Sequence, residues 1–179
     1  MQKEFYEVFE KHKDFYLKYK PEKLNLFEKI EYLYKDKIHS SNYNWYFYFT
    51  NTFIEKNNYY QNLIKNIEDI SYLSDEEKVS YIQETIDMFN TSVSLLKYYL
   101  KFNGIFYYEN IDIIKEAYYL EIIEDGQSWI ELLFDIKNIE QIKADNKEDE
   151  LLHNIVNKYA KCFSDLNIFM EKKYEKLWH

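Results

Sequence analysis

The fold of this protein is decided by residues 74–104, SDEEKVSYIQETIDMFNTSVSLLKYYLKFNG. Apolar residues recur in this stretch at steps of three and four, the spacing of one buried helix face. Ser74 and Glu77 form the pattern of a capping box, and Gly104 is suited to the left-handed turn that ends a helix. We therefore predict one long helix that packs against other helices. Its apolar stripe comprises Val79, Ile82, Ile86, Phe89, Val93, Leu96 and Leu100.

The composition of the whole chain favours the same fold class. Its 179 residues include only two glycines and one proline, too few for the many tight turns of a sheet protein. Similar apolar spacing recurs from end to end, so we expect a single all-α domain over 1–179, a compact antiparallel bundle of six or seven helices without a sheet. The predicted helices cover about 2–19, 21–38, 43–71, 75–103, 107–124, 128–143 and 146–177.

Local signals mark further helix ends. Asp125 and Gly126 interrupt the helical spacing, and Ser128 with Glu131 repeats the capping-box pattern. Asp145 with Glu148 has the same spacing and predicts the start of the last helix.

Cysteine use and hydropathy indicate the compartment. The single cysteine, Cys162, rules out an internal disulfide and lies on an apolar stripe, so we expect a buried side chain without catalytic reactivity. No apolar run approaches the roughly 18–20 residues that span a bilayer, and Met1–Phe5 does not resemble a signal peptide. We expect a cytoplasmic protein that does not bind membranes.

Charge is distributed unevenly along the chain. The net charge is −9, and all 23 basic residues are lysines. Residues 38–154 hold nine lysines and 21 acidic residues, a net charge of −12, between two nearly neutral ends. An acidic body of this kind repels nucleic acid and attracts basic protein surfaces.

Two sets of residues are candidates for contact with a partner. Acidic residues follow one another at steps of three and four along the predicted helix 107–124 and continue onto the next helix, with few lysines interleaved. The aromatic run at 43–49 holds six aromatic residues in seven positions, too many to face inward together. The partner-binding candidates are Glu109, Asp112, Glu116, Glu121, Glu124, Asp125, Glu131, Asp135, Tyr43, Trp45, Tyr46 and Tyr48.

Motifs of the common enzyme classes are missing from the sequence. Gly104 and Gly126 stand too far apart for a phosphate-binding loop, and one cysteine cannot form a zinc pair. Glu150 and His153 have the Glu-x-x-His spacing of bundle metal sites, but Glu150 falls in a first helical turn where an acidic residue is expected. His12 lies within an apolar helix face, where a structural histidine is the simpler interpretation. We predict no catalytic residue, no bound metal and no cofactor.

These observations favour a non-catalytic inhibitor that masks a basic partner, in the manner of immunity proteins or of proteins that block host defence. A nuclease or another nucleic-acid-handling protein would offer such a basic surface. The first alternative is a helical-bundle metalloenzyme that uses Glu150 and His153. The second is a structural subunit whose exposed stripes pair with copies of itself, because heptad faces often close oligomers.

Overall fold

The computed structural model of the protein describes residues 45–176, and these residues form helices without a strand. The fold class predicted from the sequence is thereby confirmed for this part of the chain. The predicted helices over 2–19 and 21–38, together with His12 and Tyr43, lie outside the described residues. The helices are α1 (Trp45–Tyr48), α2 (Ile54–Lys65), α3 (Asp75–Phe102), α4 (Asn110–Tyr119), α5 (Gly126–Lys137), α6 (Ile139–Ala144), α7 (Glu148–Asn154) and α8 (Ala160–Glu175).

Helix α3 is the central element, as residues 74–104 predict. It packs against α1, α2, α4, α7 and α8. Its start is the predicted capping box: the Ser74 side chain accepts from the Glu77 backbone N–H, and the Glu77 carboxylate accepts from the Ser74 N–H at 2.8 Å. Its end is a Schellman motif with Gly104 at φ +81°, where the Ile105 N–H donates to the Leu100 carbonyl at 2.9 Å.

The apolar stripe of α3 is buried from Ile82 to Leu100, with one partly buried position at Ile86. Val79 is an exception, since half of its side chain is exposed in the second turn, ahead of the first buried residue of the helix. More of α3 is buried than the stripe predicts, because several helices pack around it. The additional buried side chains are Thr85, Met88, Thr91, Ser92, Leu95 and Tyr99.

Four helices meet at one aromatic cluster in the middle of the core. The Trp129 ring of α5 lies 6.1 Å from Phe89 of α3 and 5.5 Å from Phe163 of α8, measured between ring centroids. Tyr60 of α2 contacts Phe163 at 5.4 Å, and its hydroxyl lies 3.0 Å from the Thr85 hydroxyl. Edge-on ring packing and a satisfied phenol hydroxyl make this cluster the anchor that fixes α5 and α8 against α3.

Two π-helical turns widen the long helices. The turn Phe49–Phe53 joins α1 to α2, and the turn Ile155–Tyr159 joins α7 to α8. Side-chain amides bond backbone carbonyls at both places: Asn51 donates to the Phe47 carbonyl and Asn157 to the His153 carbonyl, each at 2.9 Å. A π-turn adds a residue to the helical repeat and so changes which side chains face the neighbouring helix.

Several helix ends differ from the sequence prediction. Helix α2 ends at Lys65, and the expected continuation to about residue 71 is a loop with a short 3₁₀ turn, Ile70–Tyr72, which the Asp69 side chain caps. The helix predicted over 107–124 is shorter, from Asn110 to Tyr119. The helix predicted over 128–143 is interrupted at Asn138, whose side chain donates to the Phe134 carbonyl.

Two predicted helix starts are wrong. Helix α5 begins at Gly126 behind Asp125, whose carboxylate accepts from the Ser128 N–H, so Ser128 and Glu131 form no capping box. Asp145 ends α6 and does not open the last helix, because Asn146 follows it with a left-handed φ of +54°. In both places two residues have the spacing of a capping box without its hydrogen bonds. Spacing alone therefore does not predict where a helix begins.

Candidate partner-binding surface

Helix α4 carries the central group of predicted acidic residues. The segment between α3 and α4 determines where this helix lies. The Schellman motif at Gly104 ends α3, and the chain re-enters helix after Glu109, whose backbone is extended. Ile113, Ile114 and Ala117 are buried and hold one side of α4 against the core. The opposite side of α4 is consequently left on the surface.

The side of α4 away from the core is what we call the α4 face. Asp112, Lys115, Glu116 and Tyr119 follow at steps of three, one and three, and with Tyr107 they line a shallow groove of about 330 Å³. The Tyr107 hydroxyl donates to Glu116 Oε2 at 3.2 Å, and this carboxylate raises the pKa of Tyr107. Glu109 precedes the first turn of the helix and is exposed. The α4 face comprises Tyr107, Glu109, Asp112, Lys115, Glu116 and Tyr119.

The carboxylates of the α4 face lack ion pairs within the part of the chain that the structure describes. Within residues 45–176, no lysine ammonium lies within 4.0 Å of a carboxylate oxygen of Glu109, Asp112 or Glu116. Residues 104–125 hold six acidic residues and one lysine, a net charge of −5. Asp112 and Glu116 of the predicted group lie four positions apart on α4 and line the same groove, whereas Glu109 is the N-cap residue ahead of the helix.

Three further predicted acidic residues lie in the turn between α4 and α5. Glu121 adopts a left-handed φ of +56° and ends α4 in a Schellman motif, with the Ile122 N–H bonded to the Ala117 carbonyl at 2.8 Å. Glu124 is exposed. Asp125 bonds both the N–H and the hydroxyl of Ser128, and these hydrogen bonds lower its pKa. Asp125 therefore has a structural role as a helix cap.

The two predicted acidic residues on α5 belong to a different environment, which we call the α5–α8 seam. It comprises Glu131, Asp135, Lys158 and Tyr159, the last two from the π-turn before α8. Lys158 forms an ion pair with Glu131, and this contact lowers the pKa of Glu131. The Tyr159 hydroxyl donates to Asp135 Oδ2 at 2.5 Å, while burial raises the pKa of Asp135. These two carboxylates are satisfied within the chain.

The predicted aromatic contacts at 43–49 are mostly inside the protein. Trp45 is 1% exposed and its ring lies 5.1 Å from Tyr99, and Tyr46 is also buried. Tyr48 is partly buried and packs on Tyr98 with ring centroids 5.0 Å apart. Helix α1 runs along α3, so this aromatic run supplies core volume, and only Phe47 of its described residues is largely exposed.

Exposed aromatic residues occur instead beside the acidic residues of α4. Tyr108 and Tyr119 are 83% and 81% exposed, and Phe106 and Tyr118 are also more than half exposed. Lys97 of α3 places its ammonium 5.7 Å from the centre of the Tyr108 ring. Helical spacing predicts that Tyr118 lies on one inward stripe with Ile111, Ile114 and Ile122, and its exposure shows that this prediction is wrong. The signal that could have corrected this is the run Tyr118-Tyr119-Leu120, since three consecutive helical positions cannot share one buried face.

The residues considered for catalysis or metal binding do not converge. Glu150 and His153 are both exposed on α7, and residues 45–176 contain no group of three or more His, Cys, Asp or Glu side chains placed to hold a metal ion. Cys162 is buried, as the sequence predicts, and burial raises the pKa of its thiol to about 12. A thiol that stays protonated near neutral pH is a poor nucleophile.

Comparison with known proteins adds no family assignment: no protein-family model and no curated protein matches the chain. Within the described residues, no helix combines the length and the apolar character that crossing a bilayer requires. The fold and the surface chemistry of the described residues are therefore the basis for a functional proposal.

Proposed function

We propose that this protein is a non-catalytic inhibitor that binds a partner protein and masks a basic surface on it through the α4 face. Immunity proteins and proteins that block host defence act in this physical manner. The partner surface would be rich in lysine or arginine, as in the nucleic-acid groove of a nuclease. The cytoplasm is the proposed compartment, on the ground that the chain has one cysteine and no internal disulfide.

The observation that carries the proposal is the set of carboxylates on the α4 face, which have no ion-pair partner among residues 45–176. An uncompensated patch of one sign attracts a partner of the opposite sign and speeds diffusional encounter. Exposed tyrosines beside the carboxylates offer contact area at a low cost in side-chain entropy. Charge would set the rate and orientation of binding, and the aromatic rings would slow dissociation.

Masking explains why such a surface would need no catalytic group. A protein that binds a phosphate backbone does so with lysines and arginines. A surface of carboxylates can form ion pairs with those lysines and arginines and so exclude the phosphates. Direct binding of nucleic acid by this chain would bring phosphates against the acidic residues of α4. Self-association through the α4 face would likewise bring like charges together, so a different protein is the favoured partner.

The test is affinity capture with matched variants of the full chain. We would immobilise the wild type, a face variant with Glu109→Gln, Asp112→Asn and Glu116→Gln, and a control variant with Glu68→Gln, Glu171→Gln and Glu175→Gln. All three control residues are exposed, and the charge change is the same. Native lysate would be passed over each column and eluted with a salt gradient, because salt screens charge contacts between surfaces.

We expect one basic protein to bind the wild type and the control at near-stoichiometric level. The same protein should be missing from the face variant or elute from it at lower salt. Recovery of that protein equally from all three columns would contradict an electrostatic role for the α4 face. A wild-type column that retains no protein would contradict the masking proposal itself, provided that the lysate comes from cells that contain the partner.

A further inference from the structure

We infer that the groove on the α4 face binds the side chain of one arginine from the partner, an inference that rests on the proposed masking function. The groove combines two aromatic rings, Tyr107 and Tyr119, with two carboxylates, Asp112 and Glu116. The hydrogen bond from Tyr107 to Glu116 holds one ring and one carboxylate in a fixed relation. The groove is open to solvent along α4, so a side chain can enter it from a second protein.

The chemistry of these four side chains matches a guanidinium group. A guanidinium is planar, stacks on aromatic faces and presents several N–H donors in a fixed fork that suits carboxylates. A lysine ammonium is a compact, strongly hydrated charge that gains less from a flat ring. Rings and carboxylates that line one groove therefore favour arginine over lysine, while a phosphate would face two negative charges there.

The arginine must come from another molecule. The chain contains no arginine, so neither its own residues nor a second copy can supply the ligand. The chain does place a cation on a neighbouring ring, since Lys97 lies over Tyr108. Among residues 45–176, Lys115 is the one cation that lines the groove, and its ammonium lies beyond ion-pair distance from Asp112 and Glu116. Lys115 would repel an incoming guanidinium, so Lys115→Ala should strengthen binding.

The first part of the test uses three labelled nonapeptides of glycine, serine and two lysines that differ only in the central residue: arginine, lysine or citrulline. Citrulline has the shape of arginine without its charge. Fluorescence anisotropy would give the affinities for the full chain, and backbone amide shifts would locate the contact. We expect the arginine peptide to bind about tenfold more tightly than the lysine peptide, with the largest shifts at Lys115, Glu116 and Tyr119.

The second part of the test uses variants of the groove. Tyr119→Ala should weaken the arginine peptide about tenfold and leave the lysine peptide nearly unchanged, whereas Glu116→Gln should weaken both peptides and the arginine peptide more strongly. Tyr72→Ala is the matched control, because Tyr72 is 86% exposed in the 3₁₀ turn before α3. Circular dichroism would establish that each variant keeps the helical content of the wild type.

The possible outcomes separate this inference from the proposed function. Equal affinity for all three peptides, or shifts that fall outside the groove, would overturn the arginine site. If the lysate partner were still captured through the α4 face, masking by net charge would stand while the arginine site would fall. If that partner were captured equally by the face variant and the wild type, both proposals would fall together.

Discussion

Two parts of the surface contain the same residue types but differ in how their charges are paired. The α4 face has two carboxylates four positions apart, Asp112 and Glu116, with a lysine and a tyrosine on the same helix. The α5–α8 seam also has two carboxylates four positions apart, Glu131 and Asp135, but its lysine and tyrosine come from a second helical element. The difference is that a second helical element packs against the seam and pairs with its carboxylates, whereas those of the α4 face have no ion-pair partner among residues 45–176.

The largest expected difference between the two regions is the loss of unfolding free energy when a tyrosine is replaced by alanine. Tyr159 of the seam is 1% exposed and bonds Asp135, so Tyr159→Ala leaves a cavity and a partly buried carboxylate without its donor. We expect a loss of about 3–5 kcal/mol in the free energy of unfolding, as for other large buried aromatic residues. Tyr119→Ala on the α4 face should change it by less than about 0.5 kcal/mol. Urea unfolding followed by circular dichroism measures both.

Tyr159→Phe serves as the control for this pair, because it removes the hydroxyl and keeps the ring. Its cost should be smaller than that of Tyr159→Ala, since only the contact with Asp135 is lost. Similar losses for Tyr159→Ala and Tyr119→Ala would break the comparison, because they would mean that the α4 face is as deeply involved in folding as the seam.

The next largest effect on the unfolding free energy is expected at Gly126, where the start of α5 lies against α4. It is the first residue of α5, and a Cβ placed there would lie 2.7 Å from Cγ of Tyr118 on α4. Rotation of the Tyr118 side chain about χ1 can relieve only part of this clash, because the added Cβ would also lie 3.1 Å from Cβ of Tyr118, which is attached directly to the backbone of α4. We expect Gly126→Ala to cost about 1–3 kcal/mol of unfolding free energy, the range for overpacked sites.

The double variant Gly126→Ala with Tyr118→Ala isolates the cause. Removal of the ring should restore most of the lost unfolding free energy, because the clash is with that side chain alone among the nearest atoms. If the double variant is no more stable than Gly126→Ala, the requirement for glycine lies in the backbone and the proposed contact is wrong.

A smaller change in the unfolding free energy is expected from a substitution at Glu121, in the turn that ends α4. Glu121 holds a left-handed φ of +56°, which costs an ordinary L-residue free energy that glycine does not pay. Glu121→Gly should raise the unfolding free energy by about 0.5–1 kcal/mol. Asn146→Gly is the matched control at φ +54°, and its gain should be smaller, since asparagine tolerates this conformation. A larger gain at Asn146 than at Glu121 would contradict this account.

Periodicity predicted much of the described fold. The stripe of residues 74–104, its capping box and its glycine stop each correspond to a feature of α3. Some of the helix ends that the sequence missed are those where an unusual residue takes the turn, such as Glu121 in place of glycine. The π-turns were missed for a related reason: a single extra residue hardly disturbs an apolar pattern that already varies between steps of three and four.

The candidate surface could be predicted only in part. Helical spacing places Glu109, Asp112 and Glu116 together, because residues three and four apart are neighbours on any helix. Whether an acidic residue is paired depends on which helix packs opposite, and spacing within one helix carries no such information. In the sequence, Glu131 and Asp135 therefore look equivalent to the acidic residues of α4. In the structure, Lys158 and Tyr159 pair with them across the seam.

The smallest expected effect is a change in the pH dependence of the unfolding free energy at the two carboxylates of the seam. Burial raises the pKa of Asp135 in the folded protein, while the hydrogen bond from Tyr159 opposes this shift. A carboxyl with a raised folded pKa binds its proton more tightly when folded, so its contribution to stability is present below its unfolded pKa and is lost as the pH rises through the folded pKa. Asp135→Asn removes this titration, so its unfolding free energy relative to the wild type should increase from pH 4 to pH 7. Glu131→Gln in the same seam is the control and should give a difference that falls over the same range, because the contact with Lys158 lowers the pKa of Glu131; urea unfolding at each pH measures both. A flat difference for Asp135→Asn would contradict the raised pKa of this partly buried seam carboxylate.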